Sequence, residues 1–177
     1  MKRVLVVVDM QTDFVDGALG TKEAAAIVPA VRARLEKARR DGEEIIFTRD
    51  THPEDYLNTQ EGHNLPVVHC VKGSKGWQIV PQLTEFTQPP AVIIDKPTFG
   101  SSKLGQLLQE ENSKEGIEQV EVIGLCTDIC VVSNALLLKA HFPEAPISVD
   151  AACCAGVTPE KHAAALETMR SCQITIA

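Results

Sequence analysis

Two cysteines lie four residues apart in the sequence GLCTDICVV, residues 124–132, where an apolar run gives way to polar residues. Thr127 or Asp128 can cap a helix that begins here, which would place Cys130 in its first turn. Free backbone N–H groups and the positive end of the helix dipole favour a thiolate at that position. Cys126 comes earlier, where its backbone N–H can join that of Cys130 in facing an oxyanion. We therefore predict that Cys130 is a nucleophile and that Cys126 contributes its backbone.

The prediction depends on neighbours, because a cysteine at a helix start is more often a small buried hydrophobic residue than a catalyst. Asp9 ends a β-branched run and, on an adjacent strand, could supply the acid or base that a thiol nucleophile needs. Asp50 and Lys96 end two other runs in the same way. Ligands of open parallel sheets bind beyond the carboxyl ends of the strands, so we expect these side chains and the cysteine turn to meet at one edge.

A second group of polar residues could bind a metal ion. Asp50 and His52 are separated by one residue and His69 follows, which gives one carboxylate and two imidazoles, with Glu61 and His63 between them as further candidates. Such donors suit zinc, manganese or iron. The alternative is a polar surface loop with scattered histidines. Three of the five histidines fall within 18 residues, which favours a metal site.

The elements that could position these residues alternate along the chain. Apolar, β-branched runs predict strands at residues 4–9, 44–50, 91–96 and 120–125, with shorter ones at 146–151 and 174–177. Helical patterns lie between them, at 22–42, 101–112, 127–141 and 158–171. Runs that are apolar on both faces are typical of buried parallel strands. The sequence therefore predicts one α/β domain, residues 1–177, with a parallel sheet covered by helices on both faces.

Three local signals refine this prediction. Thr158 as N-cap and Pro159 at the first helical position mark a helix start. Pro29 would either delay the start of the first long helix or kink it. Residues 51–90 contain no clear helix and are rich in Pro, Gly, Asn and Gln. Irregular segments this long are uncommon in compact domains and are usually functional.

The composition argues against several classes of protein. The net charge of -7 argues against a nucleic-acid partner. No apolar stretch reaches the ~20 residues of a membrane helix, and the apolar run behind the basic N-terminus ends at Asp9, too soon for a signal peptide. Six cysteines in a chain of this size with no export signal predict reduced thiols and a cytoplasmic location. The lack of a CxxC pair argues against a thioredoxin motif and a zinc ribbon.

Five motifs together resemble a known family, the isochorismatase-like cysteine hydrolases, and within it the nicotinamidases. In chain order they are VVVDMQTDF (6–14), TRDTHP (48–53), LPVVHCVKGSKGW (65–77), DKPTFGS (95–101) and GLCTDICVVSNA (124–135). The resemblance covers nearly the whole chain. It implies a six-stranded parallel sheet with helices on both faces.

The resemblance also implies roles for individual residues. Asp9, Lys96 and Cys130 match the catalytic triad of the family. Phe14 matches an aromatic residue that lines the substrate ring, and a non-proline cis peptide is implied just before Cys126. The residues that match metal ligands are Asp50, His52 and His69, with Glu61 as a fourth ligand in a bacterial subgroup. The metal would be zinc, or else manganese or iron.

The implied reaction is hydrolysis of a small amide, nicotinamide or pyrazinamide, with the metal on the pyridine nitrogen of the substrate. Relatives that act on carbamoyl or ureido groups share the triad but as a rule lack the metal ligands, and they are the nearest alternative. Isochorismate hydrolysis is disfavoured, because those members use no nucleophilic cysteine. A non-enzymatic metal-binding or thiol-sensing protein is the alternative of another class. Relatives are often oligomers, so the resemblance is compatible with a homo-oligomer but does not determine the number of subunits.

Two positions depart from the family pattern. Leu65 and Pro66 stand where many relatives carry a ring-stacking aromatic residue, and His63 lies where it could compete with Glu61 for the metal.

Overall fold

The computed structural model describes residues 1–177, which form one six-stranded sheet in the order β3-β2-β1-β4-β5-β6, with every pair of neighbours parallel. The strands are Lys2–Val8 (β1), Glu44–Asp50 (β2), Val92–Lys96 (β3), Ile117–Leu125 (β4), Ile147–Ala155 (β5) and Thr175–Ile176 (β6). The predicted fold is confirmed. The fourth run begins three residues earlier than predicted, and the fifth extends to Ala155 through small residues that carry little β-strand signal.

The central strand β1 shows why the sheet is covered on both sides. Side chains alternate between the faces of a strand, and every residue from Val4 to Val8 is buried. Val4, Val6 and Val8 pack into one apolar core, and Leu5 and Val7 pack into another. The strand therefore needs an apolar layer of helices on each side, as its continuous apolar run predicts.

The chain forms six α-helices, of which α2, α4, α5 and α6 provide most of these layers: Thr12–Val15 (α1), Lys22–Asp41 (α2), Gln60–Asn64 (α3), Ser102–Glu115 (α4), Val132–His141 (α5) and Pro159–Ser171 (α6). Helices α4, α5 and α6 contribute to the core that contains Val6. Helix α2 and a 3-10 helix, Pro81–Thr87, contribute to the core that contains Val7.

Two predicted helix starts can be compared with the structure. The Thr158 side chain accepts a hydrogen bond from the Lys161 N–H, and Pro159 is the first residue of α6, as predicted. Pro29 does not delay α2, which begins at Lys22 behind a Thr21 cap and contains the proline in its interior. The apolar face of α2 holds the helix against the sheet, and this packing compensates for the backbone hydrogen bond that proline cannot donate.

The segment between β2 and β3 is largely irregular, as predicted. It contains the short helix α3 and two 3-10 helices, Tyr56–Asn58 and Pro81–Thr87. Backbone hydrogen bonds join His52 to Cys70 and Lys72, so the two ends of the loop 52–72 lie side by side. None of the helices is both long enough and apolar enough to span a membrane.

The strand order of the sheet reverses at β1. The chain adds β2 and β3 on one side of β1 and then β4, β5 and β6 on the other. Loops that leave β1 and β4 therefore diverge and open a crevice at the carboxyl edge, which is where ligands of such sheets bind. Gly124 allows the two strands to approach at this point, because a Cβ there would lie 2.1 Å from the Val8 carbonyl oxygen and its φ is +116°.

We expect Gly124→Ala to lower the free energy of unfolding by roughly 3 kcal/mol, because overpacking and a disfavoured backbone conformation each cost about 1–3 kcal/mol. Urea denaturation measures the change. Gly42→Ala is the matched control, since Gly42 also has a positive φ, +68°, but no atom lies within 4 Å of the added Cβ. The control should lose only about 1–2 kcal/mol. Equal losses in the two variants would show that the contact between β1 and β4 is not responsible.

Candidate active site

Three of the predicted residues meet at the carboxyl edge of the sheet. Asp9 directly follows β1, Lys96 is the last residue of β3, and Cys130 lies in the turn after β4. The Lys96 ammonium is 2.7 Å from Asp9 Oδ2 and 3.4 Å from Cys130 Sγ. All three side chains are buried. The structure thus brings together an acid, a lysine and a thiol from three separate parts of the chain.

Asp9 is held by both its backbone and its side chain. Its φ is +48°, which turns the chain sharply at the end of β1. The Thr48 hydroxyl of the neighbouring strand donates a 2.7 Å hydrogen bond to Asp9 Oδ1. Burial raises the pKa of Asp9 above its ordinary value, although the charge of Lys96 opposes the shift. A carboxylate with a raised pKa is a better proton acceptor than an exposed one.

Lys96 remains charged although it is buried. Burial alone would lower the pKa of Lys96, but the nearby Asp9, Cys130 and Asp50 outweigh that effect and raise it. The ammonium also donates a 3.1 Å hydrogen bond to the Thr98 carbonyl. The ammonium therefore contacts both the Asp9 carboxylate and the Cys130 thiol, and its positive charge stabilises negative charge on either group.

Cys130 differs from the prediction in its local structure. The helix predicted over 127–141 begins as a π-helical turn, Thr127–Val131, and only then continues as α5. Thr127 and Asp128 do not cap it, because their side chains bond to His162 and Val157 instead.

The surroundings of Cys130 also disfavour the expected thiolate. Burial raises its pKa well above the ordinary value, Asp9 adds to the shift, and Lys96 opposes it. A thiol in such surroundings needs a base to remove its proton before it can act as a nucleophile.

Cys126 lies at the entrance of the same turn and is half-buried. The peptide bond between Leu125 and Cys126 is cis, as the resemblance implies. Burial raises the pKa of the Cys126 thiol to about 12, so this thiol is a poor nucleophile near neutral pH. The Cys126 carbonyl accepts hydrogen bonds from the Ile129 and Val131 N–H groups, which closes the turn around Cys130.

The predicted metal ligands also converge. One donor atom from each of four side chains lies within 4.8 Å of the other three, and the residues are Asp50, His52, Glu61 and His69. His52 Nε2 is 2.8 Å from Asp50 Oδ2 and 3.6 Å from Glu61 Oε1, and His69 Nε2 is 3.5 Å from Asp50 Oδ2. His63 is not part of this group, because its side chain is exposed to solvent on α3.

This donor set fits a divalent cation. The Val67 carbonyl can only accept a hydrogen bond, so His69 Nδ1, 2.7 Å away, carries the proton and Nε2 of the neutral ring is free to bind a metal. Asp50 Oδ1 is buried and has no hydrogen-bond partner, although Lys96 Nζ lies 3.7 Å away. Two imidazoles and two carboxylates are ligands that zinc, manganese and iron all accept.

Aromatic rings flank the histidines of this group. The Phe14 ring, in α1, lies 5.6 Å from the His69 ring, measured between centroids. Tyr56 is fully buried at 4.7 Å from His52 and 5.0 Å from His69, and its hydroxyl donates to the Leu65 carbonyl. Phe14 is only partly buried and therefore forms the accessible wall beside the four donors.

Two residues that hold the four donors in place were not predicted from the sequence. Gln11 is buried, its amide oxygen accepts from the Asp50 N–H, and its amide nitrogen donates to the Asp50 and Trp77 carbonyls. Asp13 accepts a 2.8 Å hydrogen bond from the Cys70 N–H, next to His69. Both residues belong to the motif that contains Asp9. Their place in that motif was the only feature of the sequence that pointed to them.

A third missed residue, Asn134, braces the cysteine turn. Its side chain donates to the Cys130 and Phe99 carbonyls and accepts from the Ser101 N–H. It therefore fastens the loop that follows Lys96 to the turn that carries Cys130. Its place in the last motif, four residues after Cys130, was the feature of the sequence that could have identified it.

Comparisons with known proteins agree with this architecture. The family model described as Isochorismatase domain matches residues 3–177. The nicotinamidase/pyrazinamidase of Mycobacterium tuberculosis is 28% identical over 186 aligned positions, which cover 98% of this chain and 97% of that protein. The pyrazinamidase of Pyrococcus horikoshii, solved in complex with zinc, is 31% identical with a TM-score of 0.85, over 100% of this chain and 99% of that one.

A relative with another printed activity is also similar. The N-carbamoylsarcosine amidase of Thermoplasma acidophilum is 27% identical with a TM-score of 0.80, over 99% of this chain and 95% of that one. Relatives with different substrates thus share this sheet, and the family model covers the chain almost from end to end. The protein is a member of the isochorismatase family.

Proposed function

We propose that this protein hydrolyses nicotinamide, and also pyrazinamide, to the carboxylic acid and ammonia. The observation that carries the proposal is the contact between a buried Lys96–Asp9 ion pair and the Cys130 sulfur, with four metal-binding side chains beside it. Relatives whose names state nicotinamidase or pyrazinamidase activity support the choice of substrate.

The chemistry follows from the protonation states of the triad. Asp9 accepts the thiol proton as Cys130 Sγ bonds to the amide carbon, and Lys96 stabilises the charge that moves between them. The N–H groups of Cys126 and Cys130 stabilise the oxyanion. Asp9 then returns the proton to the departing nitrogen, which leaves as ammonia. Asp9 next takes a proton from water as the water oxygen bonds to the thioester carbon. The C–S bond then breaks to release the carboxylic acid, and Asp9 returns its proton to Cys130 Sγ.

Asp50, His52, Glu61 and His69 would hold a divalent ion, for which zinc is our first choice and manganese or iron the alternatives. Such an ion would supply a Lewis acid for the pyridine nitrogen and so orient the substrate ring. Phe14 would line that ring. Asp50 lies 3.7 Å from Lys96, so the two groups of residues share one crevice.

The alternative is hydrolysis of a carbamoyl or ureido compound. The similarity to N-carbamoylsarcosine amidase supports this alternative. The four-donor group favours nicotinamide, because a small carbamoyl substrate has no ring nitrogen for a metal to bind. A non-enzymatic metal or thiol sensor is the alternative of another class, and sustained ammonia release would exclude it.

Cys130→Ala should reduce kcat by roughly 10³-fold or more, since it removes the nucleophile. Cys126→Ala should retain substantial activity, because the backbone N–H is unchanged. Ammonia release from nicotinamide measures both, with metal content and circular dichroism as checks on folding. Loss of activity in Cys126→Ala together with activity in Cys130→Ala would reverse our assignment of the two cysteines.

His52→Ala and His69→Ala should each lose most of the bound metal, measured by elemental analysis after purification and titration with zinc or manganese. Glu61→Ala should lose less, because Glu61 is only half-buried. His63→Ala is the matched control: it removes a histidine from the same loop, but an exposed one outside the donor group, and should bind metal like the wild type. A wild-type protein that carries and takes up no metal would refute the metal site.

Nicotinamide and pyrazinamide should be hydrolysed at least about 100-fold more efficiently, in kcat/KM, than benzamide, which has carbon in place of the ring nitrogen. A chelator should remove this preference. Comparable kcat/KM for nicotinamide and benzamide would show that no metal orients the ring, and an N-carbamoyl amino acid should be tested next.

A further inference from the structure

The cysteine turn comprises Thr127–Val131. Its first two residues, Thr127 and Asp128, form side-chain hydrogen bonds with residues outside the turn. Thr127 is fully buried, and its hydroxyl lies 2.7 Å from Nδ1 of His162 in the first turn of α6. The side chain of Asp128 accepts a 2.9 Å hydrogen bond from the Val157 N–H. Both partners belong to the segment 156–162, which comprises the loop after β5 and the first turn of α6. Neither partner is used by the mechanism proposed above.

The segment 156–162 is itself well fixed. Thr158 caps α6, and the His162 N–H donates a 2.9 Å hydrogen bond to the Thr158 carbonyl. A Cβ at Gly156 would lie 2.8 Å from the His162 nitrogen and 2.9 Å from Asp128 Oδ1. The absence of a side chain at Gly156 therefore lets the segment lie directly against the cysteine turn.

We propose that His162 is a positioning residue that acts through the Thr127 hydroxyl to fix the direction of the Cys126 N–H in the oxyanion hole. This inference rests on the proposed function, because the oxyanion forms only if an amide or thioester is attacked. Thr127 adjoins Cys126, whose carbonyl is bonded to the Ile129 and Val131 N–H groups. An anchor at Thr127 thus restrains the entrance of the turn, where small displacements matter, since such donors act only within about 0.5 Å of the productive geometry.

The geometry indicates positioning rather than proton transfer. A hydroxyl can donate or accept, so the bond between Thr127 and His162 persists whichever ring nitrogen carries the proton. Burial lowers the pKa of His162, although Asp128 opposes the shift, so the neutral ring can accept the hydroxyl proton near pH 7. His162 Nδ1 is occupied by this bond rather than by the substrate.

Steady-state hydrolysis of nicotinamide by Thr127→Val and His162→Ala tests the inference. We expect kcat to fall about 10- to 100-fold in each, less than the ~10²–10³-fold loss of a whole oxyanion donor, with KM within about threefold. The double variant should be no slower than the slower single variant, because both remove the same bond. Metal content should be unchanged in all three.

Rescue and control variants separate positioning from general damage. His162→Asn should recover most of the lost kcat, since its amide can take the place of Nδ1, whereas His162→Leu should not. Thr127→Ser should likewise recover most of it. Thr168→Val is the matched control: it removes an exposed threonine hydroxyl of α6 that bonds only to the Ala164 carbonyl, and should leave kcat unchanged.

Each result supports or overturns the inference. Wild-type kcat in both Thr127→Val and His162→Ala would overturn it, as would a melting temperature that falls while kcat does not. If Thr127→Val does not fold, the comparison of His162→Asn with His162→Leu decides, and equal kcat in those two overturns the inference. A wild-type protein that releases no ammonia from any amide would overturn the proposed function itself.

Discussion

The buried ion pair between Asp9 and Lys96 is the interaction on which the site depends. Removing two charges from water costs several kcal/mol per ion, and the cost is recovered only when the partners are well placed and otherwise hydrogen-bonded. Thr48 and the Thr98 carbonyl provide those additional bonds. Asp9 directly follows β1 and Lys96 ends β3, so the pair spans β2 and can form only after these three strands have aligned. The ion pair beside the Cys130 thiol therefore depends on the pairing of three strands that are distant in the sequence.

The two halves of the site are built differently. The triad stands on the ends of strands and on a turn closed by Asn134, whereas Glu61 and His69 come from an irregular loop. Asp50 belongs to both halves, because it ends β2 among the four donors and lies 3.7 Å from Lys96. Gln11 holds the backbone of Asp50 from both sides. Gln11 thereby ties the candidate metal ligands of the loop to the same strand edge that lies beside Cys130.

Sequence patterns predicted the parts of this arrangement that are local. Continuous apolar runs identified the strands, and the strand ends identified Asp9, Asp50 and Lys96. The π-helical turn could not be predicted, because Thr127 and Asp128 have cap-forming side chains that here bond to residues 29 to 35 positions away. Gln11 was missed for the same reason, since its partners are 39 and 66 residues distant. Hydrogen bonds between residues so far apart in the sequence depend on the order of the strands in the sheet. The periodicity of apolar residues does not determine that order.

The separation of the loop 52–72 from the strand ends has an evolutionary consequence. Insertions, deletions and substitutions in surface loops are tolerated far better than changes within a sheet. Glu61, His69 and the walls around them can therefore diverge while Asp9 and Lys96 stay fixed at the strand ends and Cys130 stays fixed in the turn after β4. Under the proposed function, new substrate preferences can arise on this scaffold without changes to Asp9, Lys96 and Cys130, because selection on recognition and selection on reactivity would act on different stretches of the gene.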